Sequence, residues 1–166
     1  MGFSFLPTFR AQSLTELTSD FLKQHNIRLL MLDFDNTIVP YTTDTPTDEM
    51  DAWLKKMLQG DIPLCVVSNS KRDRVKVFCK KYGMDCITHA KKPFSRGIRQ
   101  CLQKYGIAAE QAALVGDQIF TDTLGANGCG VQSILVEAIN QHNIWLKLRH
   151  VAEMPFIWMA NKRKLL

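Results

Sequence analysis

The sequence has no apolar run approaching the eighteen or so residues that a membrane span requires, which argues against an integral membrane protein. Its opening, Met1-Gly2-Phe3-Ser4-Phe5-Leu6, lacks a basic segment and a small-residue cleavage site, so no secretory signal is expected. Leu6, where Ser or Thr is needed, breaks the myristoylation pattern. Cysteine is sparse and odd in number: Cys65, Cys79, Cys86, Cys101 and Cys129 make five, with no C-x-x-C pair. That argues against a disulfide framework or a zinc site and for free thiols in a reducing compartment, so a cytoplasmic location is expected. No repeat, low-complexity stretch or linker divides the chain. One domain over 1–166 is therefore expected, long enough to bury a core without metal or disulfide staples.

What the chain does carry is a basic balance, +5 with a pI near 9.0. This mildly favours anionic partners such as phosphate esters, acidic lipids or nucleic acid, although an incidentally basic surface accounts for it equally well.

Apolar runs alternate with helical periodicity. Ser13-Leu14-Thr15-Glu16 reads as a capping box, opening a helix with Leu14, Leu17, Phe21 and Leu22 on one face. Ile27 to Leu32, interrupted by Arg28, reads as a mostly buried strand. Thr45-Pro46 predicts the next helix start, with Thr45 as N-cap and Met50, Trp53, Leu54, Met57 and Leu58 as the apolar stripe. Pro63 to Val67, Ala112 to Val115 and Val131 to Val136 read as strands, with a short one near Asp85 to Thr88. Val75, Phe78, Cys79 and Tyr82 mark one more helix, and Ile98, Cys101, Leu102 and Tyr105 another. From Asn140 onward the periodicity is poor, although Trp145, Leu146, Leu148 and Val151 favour a helix. Strands separated by helices of this length imply βαβ units, hence an α/β fold with a parallel sheet covered on both faces. In such folds ligands bind beyond the carboxyl ends of the strands, where the polar residues of this chain gather.

Four stretches carry the chemistry. In Asp33-Phe34-Asp35-Asn36-Thr37, two carboxylates on a loop leaving a strand suit a nucleophile and a general acid and base, and a hard cation would relieve their repulsion. A calcium loop counted from Asp33 would need Gly and Glu where Ile38 and Asp44 stand, while a plain surface turn stays open on the pentapeptide alone. Val66-Val67-Ser68-Asn69 ends a strand in a hydroxyl and an amide that could meet a phosphoryl oxygen, whereas Ser70 reads as the N-cap of the next helix. In Ala90-Lys91-Lys92-Pro93, Lys92 is the better phosphate partner because Pro93 biases it to an extended backbone, and Lys91 is expected in solvent. Finally, Gly116 permits close backbone approach and Asp117 suits a magnesium ligand. Asp122 fits either a metal-bound water or the orientation of Lys92. Each of the last three is common in isolation; their shared order behind successive strands is what carries weight.

In that order the four stretches resemble the motifs of the haloacid dehalogenase (HAD) superfamily of phosphohydrolases, over about Phe5 to Val136. Asn36 stands where Gly is frequent, a change that Asn tolerates because it accepts unusual backbone angles. Leu6-Pro7, Leu32 to Thr37 and Gly116-Asp117-Gln118 with Thr121-Asp122 look like the YqeG-type subfamily of subclass IIIA, itself similar to the phosphatidylglycerophosphate phosphatases of mitochondria and plastids. The resemblance implies a Rossmann-like sheet and Mg²⁺ held by Asp33, the backbone carbonyl of Asp35, and Asp117. Asp33 would be the nucleophile and Asp35 the acid and base. Ser68, Asn69 and Lys92 would hold the phosphoryl group, with Thr37 and Asp122 in support. Only 35 positions separate Asp33 from Ser68 and 24 separate Ser68 from Lys92, so no substantial cap domain fits either gap. Residues 38 to 46, with Tyr41, would form at most a small flap.

The implied function is a Mg²⁺-dependent phosphomonoester hydrolase with an aspartyl-phosphate intermediate. Its expected partner is a phosphorylated small molecule or a phospholipid head group, narrowed by the subfamily to phosphatidylglycerophosphate. Phe3, Phe5 and Leu6, and Trp158 with Lys162-Arg163-Lys164-Leu165-Leu166, could make a peripheral contact with an anionic membrane. They could equally pack on the core or on a second subunit of an oligomer. Two alternatives belong to other classes. A phospho-aspartate signalling domain lacks an acid placed like Asp35, and a non-catalytic module for an anionic partner such as RNA has no recognised signature here, so no nucleic acid is expected.

Overall fold

The computed structural model describes residues 4–70 and 73–139. Phe3, Trp158 to Leu166 and the helix expected around Trp145 lie outside the described residues. Six strands, β1 (Phe9–Arg10), β2 (Leu29–Leu32), β3 (Leu64–Val67), β4 (Asp85–Ile87), β5 (Ala112–Gly116) and β6 (Gln132–Leu135), form one sheet in the order β1-β6-β5-β2-β3-β4. Every neighbouring pair is parallel.

Alternation along the buried strands sends their side chains to two separate cores. Leu30, Leu32, Leu64 and Val66 meet α2 (Asp48–Leu58) and α3 (Arg74–Tyr82) on one face, along with Leu22 of α1 (Ser19–Gln24). Leu29, Met31, Cys65 and Val67 meet α4 (Arg96–Tyr105) and α5 (Leu124–Cys129) on the other. The expected two-faced α/β architecture is therefore what forms. No helix among the described residues is long and apolar enough to cross a membrane.

Local boundaries differ from the expectation where a second cap competes. The helix expected from Ser13 is two pieces, a 3₁₀ turn over Leu14–Glu16 and then α1. Leu17 is extended between them, and the Thr18 side chain accepts from Phe21 N. Glu16 reaches back to Gln12 N, so the box closes one residue earlier than its sequence pattern implies. Leu14, Leu17 and Leu22 are still buried, and Trp53 Nε1 donates to Leu17 O at 2.7 Å, tying α2 over the break. Thr47, not Thr45, caps α2 by accepting from Met50 N; the acids Asp48, Glu49 and Asp51 in that first turn favour the later start. Ser70 does not cap α3, which begins at Arg74. The two-residue β1, too short to show a periodicity, pairs with β6 and was not expected.

From β2 the chain steps outward through β3 and β4, whereas from β5 it steps the other way to β6. β2 and β5 are neighbours, so the strand order reverses between them and their carboxyl ends flank a crevice. Asp33 follows one of those strands, and Gly116-Asp117 lies at the end of the other.

Candidate active site

Asp33 N donates to Val115 O at 2.8 Å, extending the β2–β5 ladder by one bond and fixing where the first acid leaves the sheet. Phe34 is fully buried and packs edge-on against Phe78, with ring centroids 5.2 Å apart at 73°. Asn36 then takes φ 60°, the left-handed region expected of it. Its Oδ1 accepts from Tyr41 N and its own N–H donates to Val39 O, which folds the chain into a tight loop.

Lys92 reaches this loop from the segment after β4, on the β3–β4 side of the sheet. Its Nζ lies 2.5 Å from Asp33 Oδ1 and 2.7 Å from Asp122 Oδ1, with the lysine side chain 1% exposed. Oxygens of Asp33, Asp117 and Asp122 all lie within 4.8 Å of one another. Three carboxylates thus face one ammonium, and burial pushes Asp33 up to about 7, with Asp122 and Asp35 adding to the rise and Lys92 opposing it. Asp117 is held well above the usual carboxylate range, first by burial and then by Asp33 and Asp122. Burial works against the charge on Lys92, but Asp122 and Asp33 more than offset it and the lysine stays a cation above its ordinary value. Of the two readings of Asp122, its direct ion pair with Lys92 is the one the geometry carries.

Backbone devices hold these groups. Ser68 is buried, its Oγ accepts from Ser70 N at 3.0 Å, and its hydroxyl proton is thereby free to point elsewhere. Asn69 has both ends of its amide on Lys92: Nδ2 donates to Lys92 O and Oδ1 accepts from Lys92 N. It therefore braces the lysine's backbone, where the sequence placed it on the substrate. The Lys92–Pro93 peptide is cis and Lys91 is exposed, as expected for the latter. Thr37 is buried beneath the loop.

Gly116 makes room for Asp122. A Cβ there would collide with Asp122 Cβ, Cγ and Oδ2, so that side chain would have to move. Gly116→Ala should therefore swing Asp122 off Lys92, lowering the melting temperature by an overpacking penalty of about 1–3 kcal/mol and turnover with it. Thermal melts alongside phosphate release check this, and unchanged values in both would show that the π-helical turn Ile119–Thr123 absorbs the methyl.

One residue of the site escaped the sequence. Arg74, at the start of α3, pairs through Nη2 with Asp35 Oδ1 and through Nη1 with Asp44 Oδ1 at 2.9 Å. The available clue was its position, since a cation in a first helical turn opposes the helix dipole and needs a local acid to hold it.

The acids also fit a divalent cation. The donors are all oxygen, as hard cations require. Asp117 Oδ1 is buried and has no hydrogen-bond partner among the described residues, and a single ammonium, that of Lys92, answers the three carboxylates. Asp35 Oδ1 is paired with Arg74.

Comparison with known proteins gives the family and the fold. A family model described as mitochondrial PGP phosphatase matches residues 3–139. The probable phosphatase YqeG of Bacillus subtilis (strain 168) is 31% identical over 132 residues, covering 80% of this chain and 77% of that protein. Among solved structures, the cobalt-bound deoxy-D-mannose-octulosonate 8-phosphate phosphatase of Haemophilus influenzae superposes with a TM-score of 0.54 at 18% identity, covering 84% of this chain and 92% of that one. The 3-deoxy-D-manno-octulosonate 8-phosphate phosphatase of Yersinia pestis gives 0.55 at 17% identity, covering 81% and 76%. At such identities these two speak for the fold alone.

Proposed function

Because the chain belongs to the mitochondrial PGP phosphatase family and is a phosphatase of the haloacid dehalogenase type, we propose that it cleaves a phosphomonoester through an aspartyl phosphate on Asp33. The observation that carries this reading is Asp33 itself, buried at the switch point with Lys92 at 2.5 Å and Asp117 and Asp122, which follow β5, beside it. With phosphatase identity given by the family, the signalling and binding-module alternatives lose their support.

In the first step an Asp33 oxygen bonds to phosphorus, the bond to the leaving alcohol breaks, and Asp35 supplies the alcohol's proton. In the second, Asp35 takes a proton from a water whose oxygen attacks phosphorus, and the Asp33 carboxylate departs as it was. Lys92 and the Ser68 hydroxyl hold the equatorial oxygens, while Asn69 and Asp122 hold Lys92 from its backbone and its charged end. Asp33, the Asp35 backbone carbonyl and Asp117 would bind Mg²⁺, which supplies positive charge against the phosphoryl oxygens and the crowded carboxylates.

The substrate class we infer is an amphiphilic phosphate ester, with phosphatidylglycerophosphate as its specific form. Tyr41, Phe94 and Ile139 are exposed, and all three adjoin site loops: Tyr41 N bonds to Asn36, Phe94 follows Lys92-Pro93, and Ile139 N donates to Asn36 O. An apolar rim of this kind suits a ligand that brings hydrocarbon beside its phosphate. Phe5 and Leu6 are less available for a membrane, since Phe5 packs edge-on against Phe120 at 5.8 Å and the Leu6 carbonyl accepts from Asn127.

The test is phosphate release from p-nitrophenyl phosphate and from an ester panel including phosphatidylglycerophosphate in vesicles, with Mg²⁺ or a chelator. Release that needs the metal supports the reading; equal release in the chelator sinks the metal part of it. Metal binding should also be visible without turnover. Burial holds the Asp33 carboxyl at about 7 and raises that of Asp117 as well, so Mg²⁺ must compete with protons and its affinity should fall as pH drops below about 7. At about a hundred times its Kd, Mg²⁺ should add about 2.7 kcal/mol of stability. A melting curve indifferent to Mg²⁺ at every pH would contradict this.

A further inference from the structure

Arg74 occupies a position that neither ion-pair stability nor helix formation requires. Its side chain is 11% exposed, and its two terminal nitrogens face different parts of the molecule. Nη2 donates to Asp35 Oδ1, the only partner the structure gives that carboxylate among the described residues. Nη1 donates to the Tyr41 carbonyl at 3.3 Å, the Thr43 carbonyl at 3.3 Å and Asp44 Oδ1 at 2.9 Å. The guanidinium carbon lies 5.2 Å from the centroid of the Phe34 ring and 5.9 Å from that of Tyr41. Aromatic contacts of this kind fix the plane of the fork, and a planar fork holds two partners in a set relation where an ammonium would hold one.

We propose that Arg74 is a positioning residue that couples the seating of Asp35 to closure of the loop over residues 41–44. The inference rests on the reading of Asp33 as nucleophile and Asp35 as acid and base. The segment between Asp35 and α2 is the small flap beside the site, and Arg74 is the strap that closes it. When the loop swings away to admit an ester or release an alcohol, it withdraws the groups that hold Nη1, and the guanidinium loses its fixed position. Asp35 is then no longer held. When the loop returns, the same nitrogen pair brings the carboxylate back to one place. Proton transfer is thereby confined to the closed state.

The chemistry separates this role from a merely structural one. A p-nitrophenolate leaves without being protonated, so forming the aspartyl phosphate from p-nitrophenyl phosphate makes little demand on Asp35. Hydrolysing that intermediate does, because water must be deprotonated. In Arg74→Ala, one equivalent of nitrophenol per site should appear in a burst within about threefold of the wild-type rate, followed by steady turnover about 10- to 100-fold slower. Phosphate label should accumulate on the protein and be absent from Asp33→Asn. Arg74→Lys keeps a cation without the fork and should show the same split at smaller amplitude; it serves as the test should the alanine variant fold poorly. A burst and steady rate that fall together, or a variant that behaves as wild type, overturns the role of Arg74. A wild type that never carries Asp33-dependent label overturns the underlying reading instead.

Discussion

Asp33→Asn should lower phosphate release by at least about 10⁴-fold, the scale of removing a nucleophile, yet leave the metal-free protein no less stable than its parent at about pH 8. The two halves have separate causes. An amide cannot form the acyl phosphate, whatever Lys92 and the metal do. As for stability, burial places the folded-state ionisation of Asp33 at about 7 against an ordinary 3.8. Between those values the native state holds a proton that the unfolded chain has released, so wild-type stability declines as pH climbs from about 4 to about 7. The amide of the variant does not titrate and carries no such proton. The variant's relative advantage should therefore be absent below about pH 4, grow through that interval and level off above it. Melting curves in a chelator at three pH values measure it, and a variant that melts below wild type at about pH 8 would show that the attraction of Lys92 outweighs burial.

Lys92→Met should also abolish most turnover, by about 10³-fold, with the opposite effect on the fold. Lys92 is the ammonium that answers Asp33 and Asp122, and its side chain is 1% exposed. Methionine fills most of the volume but leaves both acids buried without their partner, beside an already crowded Asp117. Breaking a buried pair by removing one member costs about 3–5 kcal/mol, which for a domain of this size is on the order of 10 °C in Tm. The penalty is one of ionised acids. It should be largest in alkaline solution and shrink as the pH falls and Asp33, whose carboxyl is pushed higher still once Lys92 is gone, takes up a proton. Denaturant midpoints across that range provide the check, and a pH-independent loss would point to packing instead.

That these two substitutions can be ranked at all depends on what the sequence disclosed. Asp33, Ser68, Lys92 and Asp117 were legible because each follows a strand or an extended segment, and the strand order of a doubly wound sheet gathers such ends by itself. The left-handed Asn36 was legible from residue type alone. For Asn69 the residue type suggested a ligand donor, and what the structure adds is that its amide grips the Lys92 backbone from both ends. Arg74 was invisible for a similar reason, since its partners lie 30 and 39 positions away and no local pattern links them. The helix starts at Thr18 and Thr47 were hidden by earlier capping signals, the box at Ser13 and the Thr45-Pro46 pair, whereas Thr18 and Thr47 are the residues whose side chains accept from the helix N–H groups.

The sheet's outer margins have a bearing on solubility. Both of its lateral strands are very brief, two residues in β1 and three in β4, while the longer hydrophobic runs are sandwiched inward. Thr8 N and Ala11 N donate to the carbonyls of Ser133 and Leu135, so β1 is less a structural wall than a lid on the backbone of β6. Without it Gln132–Leu135 would present a bare ladder of donors and acceptors to any passing strand, the usual entry point for edge-to-edge aggregation. Two residues of pairing, backed by the Asn127 clasp on the carbonyls of Ser4 and Leu6, cover that ladder in this structure.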